Sequence, residues 1–184
     1  MTPTHDRIDT MDADALMQKL KDGDLDRAAD LFELYHRRLY NFFLKSTYHR
    51  DASLDMTQTV FYRMINYRQS YRSGYPFRSW IYQIARNVLS DYYQKEKPKA
   101  FVDIESIGEE AESSTSSEEN YRQLYRALAR LEQEQRELLV MSKFQKMKYQ
   151  EIATIMDTTV SNIKVKVYRA MQQLKQHYHQ IEAL

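Results

Sequence analysis

Tyrosine, tryptophan and arginine alternate over a stretch of 25 residues near the middle of the chain. Aromatic rings stack on unpaired bases and arginine holds a phosphate backbone, so this composition is typical of contact with single-stranded nucleic acid. The stretch contains Tyr62, Arg63, Tyr67, Arg68, Tyr71, Arg72, Tyr75, Phe77, Arg78, Trp80, Tyr82 and Arg86.

Core packing is the competing interpretation for some rings in this stretch and for Phe61 just before it. Phe61, Phe77 and Trp80 fall on apolar faces of predicted helices, where burial is the expected role of a large ring. Three of the tyrosines lie in or beside a predicted loop, where burial is less expected. They are the better candidates for contact with a base, and they are Tyr67, Tyr71 and Tyr75.

Near the C-terminus, two predicted helices are separated by only about three residues. The first covers Tyr149–Met156 and the second Val160–Tyr178. So short a junction is typical of a helix-turn-helix, whose second helix enters the major groove of DNA. Asp157 falls in the turn, where a left-handed backbone is often needed and aspartate tolerates one. Thr159 or Ser161 can cap the second helix.

This second helix has an apolar face, on which Ile163, Val167, Ala170 and Leu174 recur at steps of three and four. On the opposite face, Asn and Arg can read base edges while Ser and Lys hold phosphates. An ordinary solvated face is the competing interpretation, and three lysines beside the motif, Lys143, Lys146 and Lys148, favour DNA. The polar face consists of Ser161, Asn162, Lys164, Val165, Lys166, Tyr168 and Arg169.

The net charge of +1 hides strong segregation along the 184 residues. Residues 31–102 hold twelve basic and five acidic side chains, and residues 121–184 hold eleven and six. Residues 103–120 hold seven acidic side chains and no basic one. Two basic blocks separated by an acidic stretch indicate two surfaces for a polyanion rather than a neutral protein.

Composition excludes several classes of protein. The absence of cysteine rules out disulfides and cysteine-ligated metal sites. No apolar run approaches the ~20 residues that span a bilayer, and the first residues lack a signal-peptide pattern, so we expect a cytoplasmic protein without membrane insertion. The spacing of the acidic residues between 22 and 33 resembles that of a calcium-binding loop, but Arg27 stands where such a loop requires glycine. We expect no catalytic residues, metal or cofactor.

With three Gly and three Pro, the chain should be all-α. We predict two small helical domains joined by a flexible acidic linker, the C-terminal one a helix-turn-helix. The predicted boundaries are a tail with a short helix at 1–23, a domain at 24–98, the linker at 99–118 and a domain at 119–184.

The individual helices and the loop are predicted from apolar periodicity and from the helix-breaking residues Gly and Pro. The first domain should contain helices that begin near Asp24 and Asp51, a loop and a further helix. The expected inward face of the helix from Asp51 includes Leu54, Val60, Phe61, Met64 and Ile65. The ranges are Ala13–Lys21 for the tail helix, Asp51–Tyr67, Ser70–Pro76 for the loop, and Phe77–Glu96.

Four short motifs occur in order, at Ser53–Phe61, Phe77–Asn87, Tyr149–Ala153 and Ile163–Ala170. Their residues and spacing resemble those of bacterial RNA polymerase sigma factors of the extracytoplasmic-function group. The resemblance covers residues from about 24 to 178. It implies a protein that binds core RNA polymerase, directs it to specific promoters and promotes DNA opening.

The resemblance also implies roles for particular residues of the first domain. One helix would dock on the clamp helices of the largest polymerase subunit, through Asp55, Gln58 and Phe61. The loop and the helix after it would capture a flipped base of the −10 element and line the adjacent DNA. The residues implied there are Tyr67, Tyr71, Arg72, Tyr75, Arg86, Asn87 and Asp91.

In the second domain, the resemblance implies that the polar face of the second helix reads the −35 element. The same domain would meet the flap of the second-largest polymerase subunit. The acidic linker would imitate RNA in the basic channels of the polymerase, and an anti-sigma factor is a common partner in the family. Two functional alternatives remain open: a helix-turn-helix regulator that binds duplex DNA without polymerase, and an interaction module with no DNA role.

Overall fold

The computed structural model describes residues 12–95 and 115–182, and this part of the chain is helical with no β-strand. The predicted all-α class is confirmed. The described residues divide into two compact units. The first holds residues 12–43 and 51–95, and the second holds residues 44–50 and 115–182.

The first unit is built mainly from four α-helices. They are α1 at Ala13–Lys21, α2 at Arg27–Thr47, α3 at Arg50–Asn66 and α4 at Phe77–Lys95. One turn of 3-10 helix at Arg68–Ser70 follows α3. The bounds of α1 are those expected from the sequence, and the predicted loop before α4 is present as an irregular segment at residues 71–76.

Aromatic and aliphatic side chains form the core of the first unit. Phe42 on α2 meets Tyr82 on α4 edge to face, with ring centroids 5.5 Å apart. Met17 on α1 and Met64 on α3 are fully buried in the same unit. All four helices therefore contribute to one apolar core, and the loop before α4 is anchored at both ends by it.

The expected inward face of α3 is only partly correct. Val60, Phe61 and Met64 are buried, but the Leu54 side chain is 51% exposed and Ile65 is 36% exposed. Residues 54 and 65 are about three turns apart and lie at the same margin of the apolar stripe, which the period of three and four assigns less firmly than the centre. Leu54 and Ile65 therefore belong to the surface of the unit.

The second unit contains four α-helices and one irregular turn. They are α5 at Thr115–Ala129, α6 at Gln133–Leu139, α7 at Tyr149–Ile155 and α8 at Val160–Glu182. A turn of π-helix at Val140–Phe144 continues from α6. Helix α8 packs against α5, α6 and α7, and the core between them is aliphatic, with Leu128, Leu138, Ile152 and Val167 buried.

Helix α5 begins four residues before Glu119, the predicted start of the second domain. The remainder of the predicted acidic linker and the first eleven residues lie outside the described residues. Within the described ranges, no helix is both long and apolar enough to cross a membrane. The same ranges hold no group of three His, Cys, Asp or Glu side chains that could bind a metal ion.

Candidate nucleic-acid interface

The turn between α7 and α8 has the geometry expected of a helix-turn-helix. Asp157 has φ of +49°, which confirms the left-handed backbone predicted there. The N–H of Thr158 donates to the carbonyl oxygen of Ala153 at 3.0 Å, which closes the end of α7. The hydroxyl of Thr159 accepts from the N–H of Asn162 at 3.2 Å, so Thr159 caps α8 as one of the two predicted capping residues.

Local contacts also fix the start of α7. The carboxylate of Glu151 accepts from the N–H of Lys148 at 2.8 Å, so a side chain in the first turn satisfies a backbone donor just before the helix. Ile152 and Ala153 are buried, and the small side chain of Ala153 suits the close approach of two helices. The motif is therefore held by bonds between residues that are near neighbours in sequence.

Helix α8 separates its two faces as predicted. Ile163, Val167, Ala170 and Leu174 are buried. Val165 is 47% exposed and Tyr168 is 65% exposed, so the outer face is partly apolar as well as polar. The exposed residues of the predicted reading face are Ser161, Asn162, Lys164, Val165, Tyr168 and Arg169.

Lys166 is the one residue of this face that is less exposed, and its ammonium group forms an ion pair with Glu134 on α6. The Asn162 amide nitrogen donates to the Thr158 hydroxyl at 2.8 Å. Both side chains lie at the surface and can exchange these partners for DNA at modest cost, because exposed ion pairs contribute little. The lysines beside the motif, Lys143, Lys146 and Lys148, are also exposed.

Arg136 organises the end of α5, and sequence reasoning did not single it out. Its Nε donates to the carbonyl oxygen of Leu128 at 3.1 Å. Its Nη2 donates to the carbonyl oxygens of Ala129 and Leu131, each at 2.9 Å. The last carbonyls of a helix have no intrahelical partner, so this guanidinium acts as their cap. Nothing in the local sequence distinguishes Arg136 from an ordinary surface arginine.

In the first unit, the three candidate tyrosines have different environments. Tyr67 is 57% exposed, whereas Tyr71 is 1% exposed, so the low burial expected for Tyr71 is wrong. The Tyr71 ring packs edge-on against Trp80 with centroids 5.4 Å apart, and its hydroxyl donates to the carbonyl oxygen of Tyr75 at 2.6 Å. Burial, with Asp14 and Asp12 nearby, raises the pKa of the Tyr71 phenol to about 12. Tyr71 is therefore an internal support of the loop rather than a surface for a base.

Tyr75 is partly exposed, and its hydroxyl accepts from the Gln83 amide at 2.8 Å. Arg72 lies at the surface of the same loop. On α4, Asn87 is exposed and Arg86 is partly exposed. Asp91 accepts from Arg63 on α3 at 2.7 Å, so a predicted DNA-lining residue also ties α4 to α3.

The predicted polymerase-binding residues divide in a similar way. Asp55 and Gln58 are exposed on α3, but Phe61 is 6% exposed, so it lies on the inward face predicted from the apolar pattern and not on the surface implied by the resemblance. Its ring instead packs against Phe32 of α2, with centroids 4.8 Å apart. Tyr62, next in sequence, is 70% exposed and was missed as part of this surface. The helical period places Tyr62 on the same side of α3 as Asp55 and Gln58, and this signal could have identified it.

Two family models match the chain, one over most of the first unit and one over most of the second. Residues 31–98 match sigma-70 region 2, and residues 121–174 match sigma-70 region 4. The chain therefore belongs to the sigma-70 family of bacterial RNA polymerase sigma factors, in its extracytoplasmic-function group.

Individual relatives agree with this assignment. The chain is 24% identical over 159 residues to RNA polymerase sigma factor YlaC of Bacillus subtilis, covering 83% of this chain and 92% of the relative. It is 28% identical over 186 residues to the sigma factor RpoE of Cereibacter sphaeroides, covering 96% and 99%. Among solved structures, CnrH in complex with the cytosolic domain of CnrY has a TM-score of 0.71 at 16% identity, covering 90% of this chain and 96% of that one.

Proposed function

We propose that this chain is a sigma subunit that binds core RNA polymerase, directs it to two-part promoters and promotes opening of the DNA. The observation that carries the proposal is that both sigma-70 regions are present in order, each with an exposed face of the expected chemistry. Sigma factors are regulatory subunits, and the chemistry of transcription belongs to the polymerase. Their partner is a cytoplasmic enzyme, so we place the chain in the cytoplasm.

Reading of the −35 element is assigned to the exposed face of α8. Arg169 can form a bidentate pair with a guanine, and Val165 and Tyr168 offer apolar surface to a thymine methyl group. Lys164 carries a charge suited to a phosphate, which positions the helix without reading sequence. Because the buried face of α8 fixes its rotation, the side chains of this face are presented to the groove as a set.

Capture of a −10 base is assigned to residues 67–76 before α4, which comprise Tyr67, the 3-10 turn and the irregular residues 71–76 and are called the loop from here on. Tyr67 and Arg72 are exposed there and Tyr75 is partly exposed, so a ring and a cation are available to an unstacked base. Flipping a base costs a few kcal/mol, and stacking on an aromatic ring contributes about 1–3 kcal/mol. Capture on this surface, followed by contacts to Arg86 and Asn87, can therefore shift the duplex toward the open state without a nucleotide cofactor.

Docking on the polymerase is assigned to the exposed part of α3. Leu54, Asp55, Gln58 and Tyr62 follow one another at steps of one, three and four, so they share one side of the helix. The surface combines a large ring and an aliphatic side chain with a carboxylate and an amide. That mixture is typical of the buried centre of a protein interface with polar groups around it.

Two further elements belong to the proposal. The acidic segment at 103–120 would occupy basic channels of the polymerase in place of RNA, and replacing its seven acids with amides should weaken initiation more than DNA binding. An anti-sigma factor is a proposed partner, because solved relatives include the sigma factor RpoE of Bartonella quintana with the anti-sigma factor NepR.

In vitro transcription tests the function directly. Purified core polymerase from the same source, genomic template and the full chain should give discrete start sites that core alone does not give. A regulator that binds DNA without polymerase would instead bind duplex DNA alone and leave core unable to start. Absence of specific start sites with a folded chain would overturn the sigma function.

Substitution of Arg169 tests the assignment of α8. Arg169→Ala should relax preference at one position of the −35 element and cost about 1–3 kcal/mol at that position. Lys164→Ala is the matched comparison, because loss of a phosphate contact weakens binding about equally on all sequences. Equal losses on preferred and scrambled sites for Arg169→Ala would reassign it to the phosphate backbone.

A further inference from the structure

Helix α1 has a polar stripe as well as an apolar one. Leu16, Met17 and Leu20 are buried against the first unit. The polar stripe consists of Asp14, Gln18 and Lys21, at steps of four and three, which places the three side chains along one line of the helix. Helix α1 packs on α4 and on the 3-10 turn, which lie on either side of the irregular residues 71–76.

Every residue of this polar stripe bonds to the loop or to an end of it. The Asp14 carboxylate accepts from the N–H of Phe77 at 2.6 Å. The Gln18 amide oxygen accepts from the Ser73 hydroxyl at 2.5 Å. The Lys21 ammonium group donates to the carbonyl oxygen of Tyr71 at 2.7 Å.

A fourth bond runs in the opposite sense, from the Gln69 amide to the carbonyl oxygen of Lys21 at 2.8 Å. From the first turn of α1 to its last, the partners lie progressively earlier in the sequence. They are Phe77, Ser73, Tyr71 and Gln69. The helix and the loop run antiparallel, and each turn of the helix holds the next part of the loop.

The bond from Asp14 has a particular consequence for α4. The residue before α4 is Pro76, which has no side-chain oxygen to cap the first N–H groups of the helix. Asp14 supplies that cap from 63 residues away in sequence. A carboxylate is also the favoured charge at a helix N-terminus, so α1 fixes the point at which the loop becomes a helix.

We propose that α1 is a brace for the −10 loop, and that Asp14, Gln18 and Lys21 are positioning residues for capture of the flipped base. The proposal rests on the sigma function given above and deepens it. With Tyr71 turned inward and its carbonyl held by Lys21, the loop keeps Tyr67 and Arg72 at the surface. The brace orders the loop before DNA binds. Capture of a base therefore does not have to offset the entropy cost of ordering it.

The test uses holoenzyme made with the full chain. The variant Asp14→Ala with Lys21→Met removes two of the four bonds without changing the net charge. The matched control is Asp26→Ala with Lys19→Met, which makes the same chemical changes at exposed positions that form none of the four bonds. A conservative variant, Asp14→Asn with Lys21→Arg, keeps an acceptor and a donor at the two positions.

Two readouts separate positioning from overall stability. Capture is measured as affinity of holoenzyme for a fluorescent single-stranded −10 oligonucleotide, and upstream binding as affinity for a −35 duplex. We expect the brace variant to lose about tenfold in capture, the effect of 1.4 kcal/mol, with −35 affinity within about twofold of wild type. The control should match wild type, and the conservative variant should recover most of the loss.

Unchanged capture by a folded brace variant would overturn the proposal, as would equal losses for the brace and control variants. If the brace variant does not fold, Gln69→Leu with Ser73→Ala removes the other two bonds from the loop side. It should lower capture about threefold, and no loss there would equally overturn the proposal. Wild-type holoenzyme that captures no −10 strand would overturn the sigma function itself and the brace with it.

Discussion

The loop at residues 67–76 and helix α8 are both assigned to promoter DNA, but different kinds of contact hold them in place. The bonds from α1 to the loop and the start of α4 join residues 48 to 63 positions apart in sequence. The bonds that shape the start of α8 join residues three or four positions apart. The loop has local bonds as well, such as that from the N–H of Tyr75 to the carbonyl oxygen of Arg72 at 3.1 Å. Its attachment to the rest of the unit, however, depends on distant partners, whereas the start of a capped amphipathic helix is set mostly by near neighbours in sequence.

The variant with the largest expected effect removes the ring of Phe77, which lies at the end of the loop and in the core of the first unit. Phe77 is fully buried and meets Tyr35 edge to face, with centroids 5.1 Å apart. Phe77→Ala should lower the free energy of unfolding by about 3–5 kcal/mol, because it deletes a core ring and leaves a cavity. Urea unfolding followed by fluorescence of Trp80, the only tryptophan, measures the effect in this unit.

The control for that experiment is Tyr62→Ala, since the Tyr62 ring is 70% exposed. Its loss should stay within about 0.5 kcal/mol. A loss below 1 kcal/mol for Phe77→Ala would contradict the view that the loop rests on an aromatic core. Similar losses for the two variants would do the same.

The second unit is also held by polar contacts, and the variant Arg136→Lys tests the set made by this guanidinium. Lysine keeps the charge but lacks the planar fork that donates to the carbonyls of Leu128, Ala129 and Leu131 and, at 2.8 Å, to that of Ser46. We expect a loss of about 1.5–3 kcal/mol in the free energy of unfolding, the range for hydrogen bonds to charged groups. Thermal unfolding followed by circular dichroism at 222 nm provides the measurement.

Arg130→Lys is the matched control, because Arg130 is exposed in the same connection between α5 and α6. It should change the midpoint little. An Arg136→Lys midpoint equal to that of the control would mean that charge near the helix end, rather than the forked hydrogen bonds, provides the stabilisation.

The same contrast explains what the sequence could and could not predict. The two faces of α8, the left-handed Asp157 and the cap on α8 depend on residues a few positions apart. The first two predictions are confirmed, and Thr159 is the one of the two predicted candidates that forms the cap. The range of α1 was equally predictable from local pattern. Its packing against the loop was not, because nothing in a nine-residue helix indicates which segment 50 residues later it will meet.

Burial was the hardest property to predict outside regular helices. Tyr71 was expected at the surface because it lies in a loop, but α1 and Trp80 enclose it. By contrast, Phe61 and Tyr62 lie within a regular helix, and the inward face predicted for α3 correctly includes Phe61 and leaves out Tyr62. The burial of Tyr71 depends on partners brought in from elsewhere in the chain, and composition and periodicity carry no information about those partners.

Tyr71 offers a test of this burial through alkaline pH. Its pKa is raised to about 12, so between pH 10 and 12 the unfolded chain releases a proton that the folded chain retains. The folded state then binds more protons, and its stability falls as the pH rises. At pH 11 the loss is about 1.4 kcal/mol from this group. Tyr71→Phe should remove that part of the alkaline slope in urea titrations at pH 8 and pH 11.

Tyr67→Phe is the control for the titration, because it removes a hydroxyl from an exposed ring of the same loop. The slope between pH 8 and pH 11 for this variant should follow that of the wild type. Equal changes in slope for the two variants would contradict the claim that Tyr71 is enclosed while Tyr67 is exposed.

The smallest expected effect concerns the ion pair between Lys166 and Glu134, the side-chain tie from the reading face of α8 to α6. Both groups are at the surface, so the pair is worth about 0.2–1 kcal/mol. Glu134→Gln should release Lys166 for a phosphate and tighten binding to a −35 duplex by about 1.4- to 5-fold, measured by fluorescence anisotropy. Glu132→Gln makes the same charge change on a neighbouring exposed residue and should tighten binding less. Equal gains would mean that only net charge matters, and that α8 reaches DNA without any restraint from the helix beside it.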